Sequence, residues 1–469
     1  MPALAVDLDG TLLRSDLLLE STLALLARQP WLLFAFPAWL WRGKAHLKWQ
    51  IARRVELDVA SLPWDERMLA LVHAAAGQRE IVLCTASDEK LASAVAEHLD
   101  LFDLVLASDG KRNLSGRAKA AALVERYGLR GFDYAGNAQV DLLVWASARQ
   151  AIVVNGSDGL ARAAAELCPV ETHLPATGQR FRLWIKALRL HQWLKNLLVF
   201  VPMLAAHRFM DPATVIACAL GFLAFGLCAS SVYLLNDLLD LNADRHHHTK
   251  HSRPFAAGRL PLIQGLVVSP LLTLASLGLA FWLSPIFAGL LGLYFLLTLA
   301  YSFRLKRRVM ADVMVLASLY TLRIIGGAAL LATAPSFWLL AFSMFLFLSL
   351  AMLKRYTELL KLVTDGKHQS KGRGYQVEDL HLLQSMGAAS GYQAVLVLAL
   401  YINSSASELL YRRPQVLWLL CPLLLYWISR VWMIAHRGLM RDDPVIFAAT
   451  DRTSQVIVLL CAAVAMGAI

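Results

Sequence analysis

Long apolar runs dominate the chain after about residue 190, and they limit what it can fold into. A helix needs roughly 20 apolar residues to cross the hydrocarbon core of a bilayer. Runs of about this length lie near 194–210, 213–235, 264–283, 285–303, 311–332, 335–353, 384–402, 415–434 and 453–469. Composition and run length alone predict an all-α membrane domain with roughly eight to ten transmembrane helices.

The composition supports a membrane protein. The chain has 469 residues, of which 58% are hydrophobic, and its formal net charge is +11. In a soluble protein this charge would suggest nucleic acid as a partner. Here the basic residues fall mostly between the apolar runs, so the positive-inside rule accounts for much of the charge and no nucleic acid is predicted. The six cysteines are scattered without a CxxC pair, which argues against a zinc site or a disulfide framework.

Basic residues mark one side of the membrane. They crowd the connections after the even-numbered runs, whereas the alternate connections at 284–285 and 333–336 are short and nearly uncharged. This bias predicts a multi-pass protein of the inner (cell) membrane whose even connections and N-terminal domain are cytoplasmic.

The N-terminal third has a different pattern, in which short apolar runs alternate with amphipathic helical stretches. The runs lie at 3–10, 80–87, 104–108, 132–137 and 150–157. This alternation predicts a Rossmann-like α/β domain with a parallel sheet, and ligands bind such sheets at the carboxyl ends of the strands. We predict an α/β domain at 1–172 with a helical insertion at about 14–78, a polar linker at 173–185 and a membrane domain at 186–469.

The sequence NDLLDLNAD at 236–244 follows the second long run. Asp237, Asp240 and Asp244 are spaced i, i+3 and i+7, which places them on one face of a helix. Carboxylates at a membrane edge are costly unless a cation holds them, and Mg²⁺ prefers such oxygen ligands together with substrate phosphates. The plain alternative is a solvated helix end.

This motif, with the basic residues that follow it, resembles the first aspartate-rich motif of the UbiA-type intramembrane prenyltransferases. The resemblance extends over residues 182–469 and implies about nine transmembrane helices. It implies that Mg²⁺ and a diphosphate are held by Asn236, Asp237, Asp240, Asp244, Lys250 and Arg253.

The chain departs from that family after the sixth run. A typical member carries a second aspartate motif, DxxxD, at this point, but here the sequence is Lys354-Arg355-Tyr356-Thr357-Glu358. A Lys-Arg pair removes a metal site and suits a phosphate group. Together with LRLHQWLKN at 188–196 and YSFRLKR at 301–307, the departure resembles the decaprenyl-phosphate phosphoribosyltransferase branch. The resemblance implies a polyprenyl phosphate acceptor and a phosphoribosyl pyrophosphate donor, with further substrate contacts from Arg189, Gln192, Lys195, Asn196, Tyr301, Lys306, Lys354, Arg355 and Glu358.

The first apolar run ends in Asp7-Leu8-Asp9-Gly10-Thr11, which resembles the DxDGT signature of haloacid dehalogenase-like phosphatases. The resemblance implies that Asp7 is the nucleophile and Asp9 the general acid and base. It also implies phosphate binding by Thr85 and Lys119. The Mg²⁺ site that it implies consists of Asp7, Asp9, Asn137 and Asp141. Asn137 stands where the family has aspartate, which weakens the metal site and keeps open a non-catalytic, regulatory domain.

An aromatic stretch, PWLLFAFPAWLW at 30–41, lies in the predicted insertion. It is too short to span a bilayer. Two interpretations remain open, a buried cap helix or a helix on the membrane surface or on the second domain.

The two resemblances together predict a bifunctional membrane enzyme. The membrane domain would transfer a 5-phosphoribosyl group to polyprenyl phosphate with Mg²⁺, and the N-terminal domain would remove the 5-phosphate. The alternative is an aromatic prenyltransferase of quinone-type lipid biosynthesis with a regulatory or inactive phosphatase-like domain. The polyprenyl length and the oligomeric state are not specified by the sequence.

Overall fold

The computed structural model describes residues 1–176, 180–364, 373–440 and 443–469. The chain divides into two compact units. The first comprises Met1–Leu188 and Tyr233–Val268, and the second comprises Arg189–Val232 and Ser269–Ile469. The segment with the aspartate motif thus belongs to the same compact unit as the N-terminal residues.

A six-stranded parallel sheet forms the centre of the first unit. Its strands are β1 (Ala3–Val6), β2 (Ile81–Asp88), β3 (Leu104–Ser108), β4 (Phe132–Gly136), β5 (Ala151–Val154) and β6 (Val170–Leu174). Their order is β3-β2-β1-β4-β5-β6. Strands β1 to β3 therefore follow one another toward one edge of the sheet, and strands β4 to β6 follow one another toward the opposite edge. The crevice between the ends of these two strands is the switch point at which such sheets bind ligands. The predicted α/β architecture agrees with this sheet.

Both faces of the sheet are buried, which explains the nearly unbroken apolar character of its strands. Alternate residues point to opposite faces. Leu4 and Val6 of β1 belong to one apolar core, whereas Ala5 belongs to the other. Helices cover the two faces of the sheet. The helices of the first unit within 1–188 are Leu17–Arg28, Phe36–Trp41, Lys44–Ala52, Glu66–Ala75, Glu89–Leu99, Arg117–Tyr127, Leu142–Trp145, Asp158–Ala165 and Arg180–Leu188, with 3₁₀ turns at Pro30–Ala35, Val59–Ser61 and Gln139–Asp141.

Two parts of the N-terminal region differ in detail from the sequence prediction. The helix Arg180–Leu188 begins within the stretch predicted as a linker and runs three residues past its end, and β6 extends to Leu174. The aromatic segment forms a 3₁₀ turn and a short helix, and it is not a buried cap helix. Trp31, Phe34 and Trp41 are 62%, 85% and 92% exposed.

The segment 240–261 packs against the N-terminal part of the first unit. It contains the helix Leu241–Arg245 and a 3₁₀ turn at Lys250–Ser252. The buried guanidinium of Arg245 donates to both carboxylate oxygens of Glu20, at 2.6 and 3.1 Å. The ring of Phe255 meets the ring of Trp184 edge to face. A buried bidentate ion pair is strongly directional, so it fixes this segment against the helix Leu17–Arg28.

The second unit is helical. Its α-helices, two of which continue into the first unit, are Val201–Ala205, Pro212–Leu239, Leu262–Leu283, Pro285–Phe303, Ala311–Leu330, Phe337–Thr364, Leu380–Ile402, Ser405–Leu410, Leu420–His436, Pro444–Thr450 and Arg452–Ala468, with 3₁₀ helices at Leu190–Phe200, Leu305–Arg307, Val377–Asp379 and Pro414–Leu419. Small residues let these helices approach closely. A Cβ atom added to Gly391 would lie only 2.7 Å from Ile428 and 2.9 Å from Ser349.

The nine membrane-spanning helices that the resemblance implied are not confirmed by the described residues. Among the residues that the structure describes, seven helices are long and apolar enough to cross a membrane. An eighth span results if Pro444–Thr450 and Arg452–Ala468, bent by 77°, count as one. The predicted span at 194–210 is instead the 3₁₀ helix Leu190–Phe200 followed by the short helix Val201–Ala205. Pro202 explains this break, because it lacks the N–H that a continuous helix needs at that point.

Candidate functional site

The switch point of the sheet brings several predicted residues together. Asp7 and Asp9 follow β1, and Asn137 follows β4. All three line a cavity of about 1120 Å³ that also contains Lys119 and Ser87. The structure thus places the predicted ligand site at a cavity, and the binding of a ligand there stays a prediction.

Asp7 is held through only one of its two carboxylate oxygens. Its Oδ1 accepts hydrogen bonds from the Leu8 backbone N–H at 2.9 Å and from Lys119 Nζ at 2.8 Å. No donor within the described residues reaches its Oδ2. Burial raises the pKa of Asp7 to about 6, and the charge of Lys119 opposes this shift. Asp7 lines the cavity, and a carboxylate oxygen without a donor has the chemistry that a nucleophile requires.

Asp9 is held through both oxygens. Oδ1 accepts from the Leu17 backbone N–H at 2.7 Å, and Oδ2 accepts from Ser87 Oγ at 2.8 Å. Burial raises the pKa of Asp9 to about 7, and the negative charges of Asp16 and Asp7 add to the shift. A carboxyl group that titrates near neutral pH suits proton transfer.

Two other predicted residues of this site have different surroundings from those expected. Thr85 is fully buried, and its Oγ1 accepts from the Ser87 backbone N–H at 3.0 Å. Ser87, two residues later, lines the cavity instead. Regular alternation would turn both side chains to the same face of β2, but the pairing of β2 with β3 shifts register between Cys84 and Asp88, and this irregularity separates them.

Asp141 was predicted to bind Mg²⁺, but its oxygens already serve other donors. Its Oδ1 accepts from the Tyr134 hydroxyl at 2.9 Å, and its Oδ2 accepts from the backbone N–H groups of Asn137 and Ala138 at 2.9 and 3.0 Å. Asn137 offers only a neutral amide. Both oxygens of Asp141 are thus already hydrogen-bonded, and the predicted binding of Mg²⁺ by Asp141 stays a prediction.

The aspartate motif forms a second acidic site in the first unit. Arg253 Nη1 lies 3.1 Å from Asp237 Oδ1 and 2.6 Å from Asp244 Oδ2, so two of the three predicted carboxylates converge on one point. Both side chains are buried, and burial raises the pKa of Asp244 against the opposing charge of Arg253. Asp240 lies between them, with its backbone N–H on Asn236 O at 2.9 Å.

The chemistry of this donor set fits Mg²⁺. The ion commonly takes one or two carboxylates and completes its shell with water and substrate phosphates. Asp237 and Asp244 would supply those carboxylates, and Arg253 would face the phosphates. No group of three or more His, Cys, Asp or Glu side chains suited to a metal occurs in the described part of the chain. A metal here therefore depends on its substrate for further ligands.

A third charged site lies in the second unit. Asp443 Oδ2 accepts from Lys195 Nζ at 2.8 Å and from Lys354 Nζ at 2.7 Å, while Oδ1 caps the helix Pro444–Thr450 at the Val445 N–H. Two ammonium groups share one carboxylate, which leaves a net positive charge. The sequence analysis singled out the two lysines, and only the fold shows that Asp443 joins them.

Arg355 does not have the surroundings expected of a substrate-binding residue. It is 1% exposed, and its guanidinium pairs with Asp312 Oδ2 at 2.5 Å and donates to the Tyr301 hydroxyl at 2.7 Å. Glu358 pairs with it as well. Asp312 and the partly exposed Glu358 face both Arg355 and Arg373, so the charge of Arg355 is already paired, and the predicted substrate contacts of Arg355, Tyr301 and Glu358 stay predictions. Asp312 was missed because it stands alone at the start of an apolar helix.

The remaining predicted residues are placed as follows. Asn196 is buried and accepts from Arg323 Nε at 2.8 Å. Arg323 itself was not predicted, although a cation inside an apolar run is a signal for a polar site. Arg189 has a left-handed backbone with φ 52°. The roles of Arg189, Gln192, Asn236, Asp240, Lys250 and Lys306 stay predictions.

The comparisons with known proteins include one match to a family and several matches to individual proteins. A sequence model of the UbiA prenyltransferase family matches residues 197–450. The match covers more than half of the chain, which therefore belongs to the UbiA prenyltransferase family. With its long apolar helices, the chain is a multi-pass membrane protein.

Three individual proteins show how far the similarity extends. The "Uncharacterized protein y4nM" of Sinorhizobium fredii (strain NBRC 101917 / NGR234) is 38% identical over 468 residues, which is 98% of this chain and 89% of that protein. The decaprenyl-phosphate phosphoribosyltransferase of Mycolicibacterium smegmatis is 39% identical over 181 residues, which is 37% of this chain and 56% of that protein. This match lies in the C-terminal part. A UbiA homologue from Archaeoglobus fulgidus bound to GPP and Mg²⁺ has a TM-score of 0.47 at 16% identity, over 61% of this chain and 99% of that one.

Proposed function

We propose that this chain is a bifunctional membrane enzyme. Its first activity transfers the 5-phosphoribosyl group of phosphoribosyl pyrophosphate to a polyprenyl phosphate, with Mg²⁺. Its second activity, in the α/β domain, removes the 5-phosphate to give polyprenyl-phosphate ribose. The N-terminal domain and the aspartate motif face the cytoplasm in this proposal.

The observation that carries the transferase proposal is the 39% identity to a decaprenyl-phosphate phosphoribosyltransferase over 181 residues. The charges of the sites support it. Asp237 and Asp244 suit a metal-bound diphosphate, and the net positive charge of Lys195 and Lys354 with Asp443 suits a phosphate. In the reaction, a phosphate oxygen of the lipid bonds to C1 of the ribose. The bond from C1 to the diphosphate oxygen breaks, and diphosphate leaves with the electron pair.

The open oxygen of Asp7 supports the phosphatase proposal. Oδ2 attacks phosphorus, and the bond from phosphorus to the 5-oxygen of ribose breaks as Asp9 donates its proton to that oxygen. Water then attacks the aspartyl phosphate, and Asp9 takes the proton of that water. Phosphate leaves and Asp7 is regenerated. Lys119 donates to Oδ1 throughout and holds the nucleophile in place.

The test is incubation of the purified full-length protein with Mg²⁺, phosphoribosyl pyrophosphate and polyprenyl phosphate, followed by mass spectrometry of the lipid. We expect polyprenyl-phosphate ribose as the product. A lipid that is never ribosylated would contradict the transferase proposal. A lipid that keeps its 5-phosphate would contradict the phosphatase proposal.

Family membership favours a second candidate function, an aromatic prenyltransferase. Such an enzyme would consume a prenyl diphosphate and an aromatic acceptor. The same protein incubated with prenyl diphosphate and hydroxybenzoate would then give a prenylated ring. We expect none, because Lys354 and Arg355 replace the second aspartate motif that holds the metal of a prenyl diphosphate.

A further inference from the structure

We propose that the cavity beside Asp7 binds a lipid-linked sugar phosphate through two anionic groups. Asp7 and Lys119 receive the terminal phosphate. Arg180, Arg182 and Arg259 bind the phosphodiester that joins the sugar to its lipid. The proposal rests on the proposed phosphatase function of this site and names its substrate class and the residues that select it.

The size of the cavity is the first observation. Its volume is about 1120 Å³, which is slightly above the range of roughly 300–1,000 Å³ that is typical of pockets for drug-sized ligands. A phosphorylated pentose fills only a small part of such a volume. The cavity therefore has room for a considerably larger molecule than the phosphomonoester that reacts.

Unbalanced positive charge is the second observation. Arg180, Arg182 and Arg259 line the cavity and make no ion pair within the described residues. By contrast, Arg14 lines the same cavity and lies 3.4 Å from the carboxylate of Asp65. The three arginines come from two separate segments of the first unit. Guanidinium groups bind phosphate oxygens in pairs, so this arrangement suits a second phosphate group.

An apolar wall is the third observation. Leu183, Leu262 and Ile263 line the cavity beside these arginines in sequence. Leu262 begins the helix Leu262–Leu283, which is long and apolar enough to span a membrane. Ile263 is 52% exposed. A soluble sugar phosphate has no apolar part to bury against these side chains, whereas the first isoprene units of a lipid would cover them.

The same segment connects the cavity to the aspartate motif. Arg259 and Leu262 follow Asp244 on the segment that the Arg245–Glu20 ion pair fixes against the helix Leu17–Arg28. Leu17 in turn donates its N–H to Asp9. A lipid-linked product of the transferase is thus the ligand whose charges and chain match the lining.

The experiment measures ligand binding to the full-length protein in detergent, in the Asp7→Asn background so that no ligand is consumed. The three ligands are ribose 5-phosphate, methyl-phosphoryl ribose 5-phosphate and farnesyl-phosphoryl ribose 5-phosphate. The variants are Arg259→Ala and the pair Arg180→Ala with Arg182→Ala. Arg162→Ala is the matched control, because Arg162 lies on the helix Asp158–Ala165 and does not line the cavity.

We expect the farnesyl ligand to bind most tightly and ribose 5-phosphate least tightly. Each arginine variant should lower the preference for the farnesyl ligand over ribose 5-phosphate about tenfold, which is the scale of a lost charge-assisted hydrogen bond. Arg162→Ala should keep the preference of the parent protein.

Equal affinity for the methyl and farnesyl ligands would overturn the lipid part of the proposal. An unchanged preference in both arginine variants would overturn the phosphodiester site, as would an equal loss for all three ligands. The proposed function fails separately, when the protein with Asp7 intact releases no phosphate from any of the three ligands. The test of the binding preferences does not depend on whether phosphate is released.

Discussion

Two buried carboxylates, Asp7 and Asp312, each pair with a cation but differ in how many of their oxygens the cation engages. Asp7, in the α/β unit, lines a cavity and pairs with Lys119 through Oδ1, which leaves Oδ2 without a donor among the described residues. Asp312, in the helical unit, pairs with Arg355 through both oxygens and also accepts from the Tyr301 hydroxyl at 3.0 Å. Both carboxylates are buried against a cation, but only Asp7 keeps an oxygen for a reaction.

The difference follows from the cation and from the element that carries the acid. Lysine is a compact charge that satisfies one oxygen, whereas arginine presents a fork that takes both. Asp7 lies just past the end of a strand, at the switch point of the sheet, where ligands bind. Asp312 lies in the first turn of the helix Ala311–Leu330, against other helices. We call Asp7 the open carboxylate, because one of its oxygens has no donor among the described residues, and Asp312 the closed carboxylate, because both of its oxygens face Arg355. The open carboxylate is expected to take part in a reaction, and the closed carboxylate is expected to hold helices together.

The largest expected effect comes from the open carboxylate. Asp7→Asn should lower the rate of phosphate release by at least about 10³-fold, because an amide cannot form the aspartyl phosphate. Mass spectrometry of the lipid after incubation with both substrates should show lipid-linked ribose 5-phosphate, with the transferase still active.

The matched control is Asp158→Asn, since Asp158 is an exposed acid at a helix start in the same unit. It should give the dephosphorylated lipid at the normal rate. If Asp7→Asn gives the same lipid as the parent protein, the α/β domain is not the phosphatase, and Asn137 becomes a sign of lost catalysis.

The closed carboxylate should matter for stability. Asp312→Ala should lower the free energy of unfolding by about 3 kcal/mol, because Arg355 would lose its main partner while remaining buried. The double variant Asp312→Leu with Arg355→Met should regain most of this loss, since an apolar pair needs no charge balance. Thermal unfolding in detergent measures both changes.

Transferase activity of the double variant then tests the role of Arg355. We expect it to be largely retained, because the structure places Arg355 among carboxylates and away from solvent. Loss of activity in a folded double variant would restore the sequence-based prediction that Arg355 binds a substrate phosphate.

The contrast also shows what the sequence could and could not predict. Periodicity predicted the parallel sheet and most apolar helices, because burial on both faces or along a span leaves a direct mark on composition. Short motifs predicted Asp7, Asp9 and Lys119 as a group, and the structure brings them together. The burial of the Thr85 side chain depends on the register of β2, and the donors around Asp141 include the hydroxyl of Tyr134. Neither feature leaves a pattern in the sequence from which it could be predicted.

The sequence also could not predict ion-pair partners that lie far apart along the chain. Asp443 joins Lys195 and Lys354 from 248 and 89 residues away. Asp312 joins Arg355 from 43 residues away. Asp312 is a single charged residue beside an apolar run and Asp443 is one of three adjacent charged residues, and in both cases helix packing sets the partner. A Lys-Arg pair read alone predicts a phosphate site, whereas the fold gives the lysine and the arginine different partners.

The aspartate motif should show an intermediate effect. Asp237→Asn should lower the rate of ribosyl transfer by about 10²-fold, because it removes one charge that would hold the metal-bound diphosphate. Formation of ribosylated lipid at saturating Mg²⁺ measures this change. Asn242→Ala, at an exposed position of the helix Leu241–Arg245, is the control and should keep the parent rate. Near-normal transfer by Asp237→Asn would remove the motif from the metal site.

The smallest expected effect concerns a closed carboxylate in the same unit as Asp7. Asp65 accepts from Arg67 Nη2 at 2.8 Å and from Asn155 Nδ2 at 3.1 Å. Burial alone would raise its pKa, but Arg67, Asn155 and Arg14 outweigh burial and lower the pKa to about 2. A lowered pKa stabilises the fold above the ordinary value near 4, and this contribution is lost as the pH falls toward 2. The parent protein should therefore be more stable than Asp65→Asn at pH 7 by on the order of 1 kcal/mol, a modest value because both arginines are partly exposed. Thermal unfolding of both proteins between pH 7 and pH 3 should show this advantage shrinking with acidity. An advantage that is constant, or that grows on acidification, would mean that Asp65 stabilises the unit through packing and not through its charge.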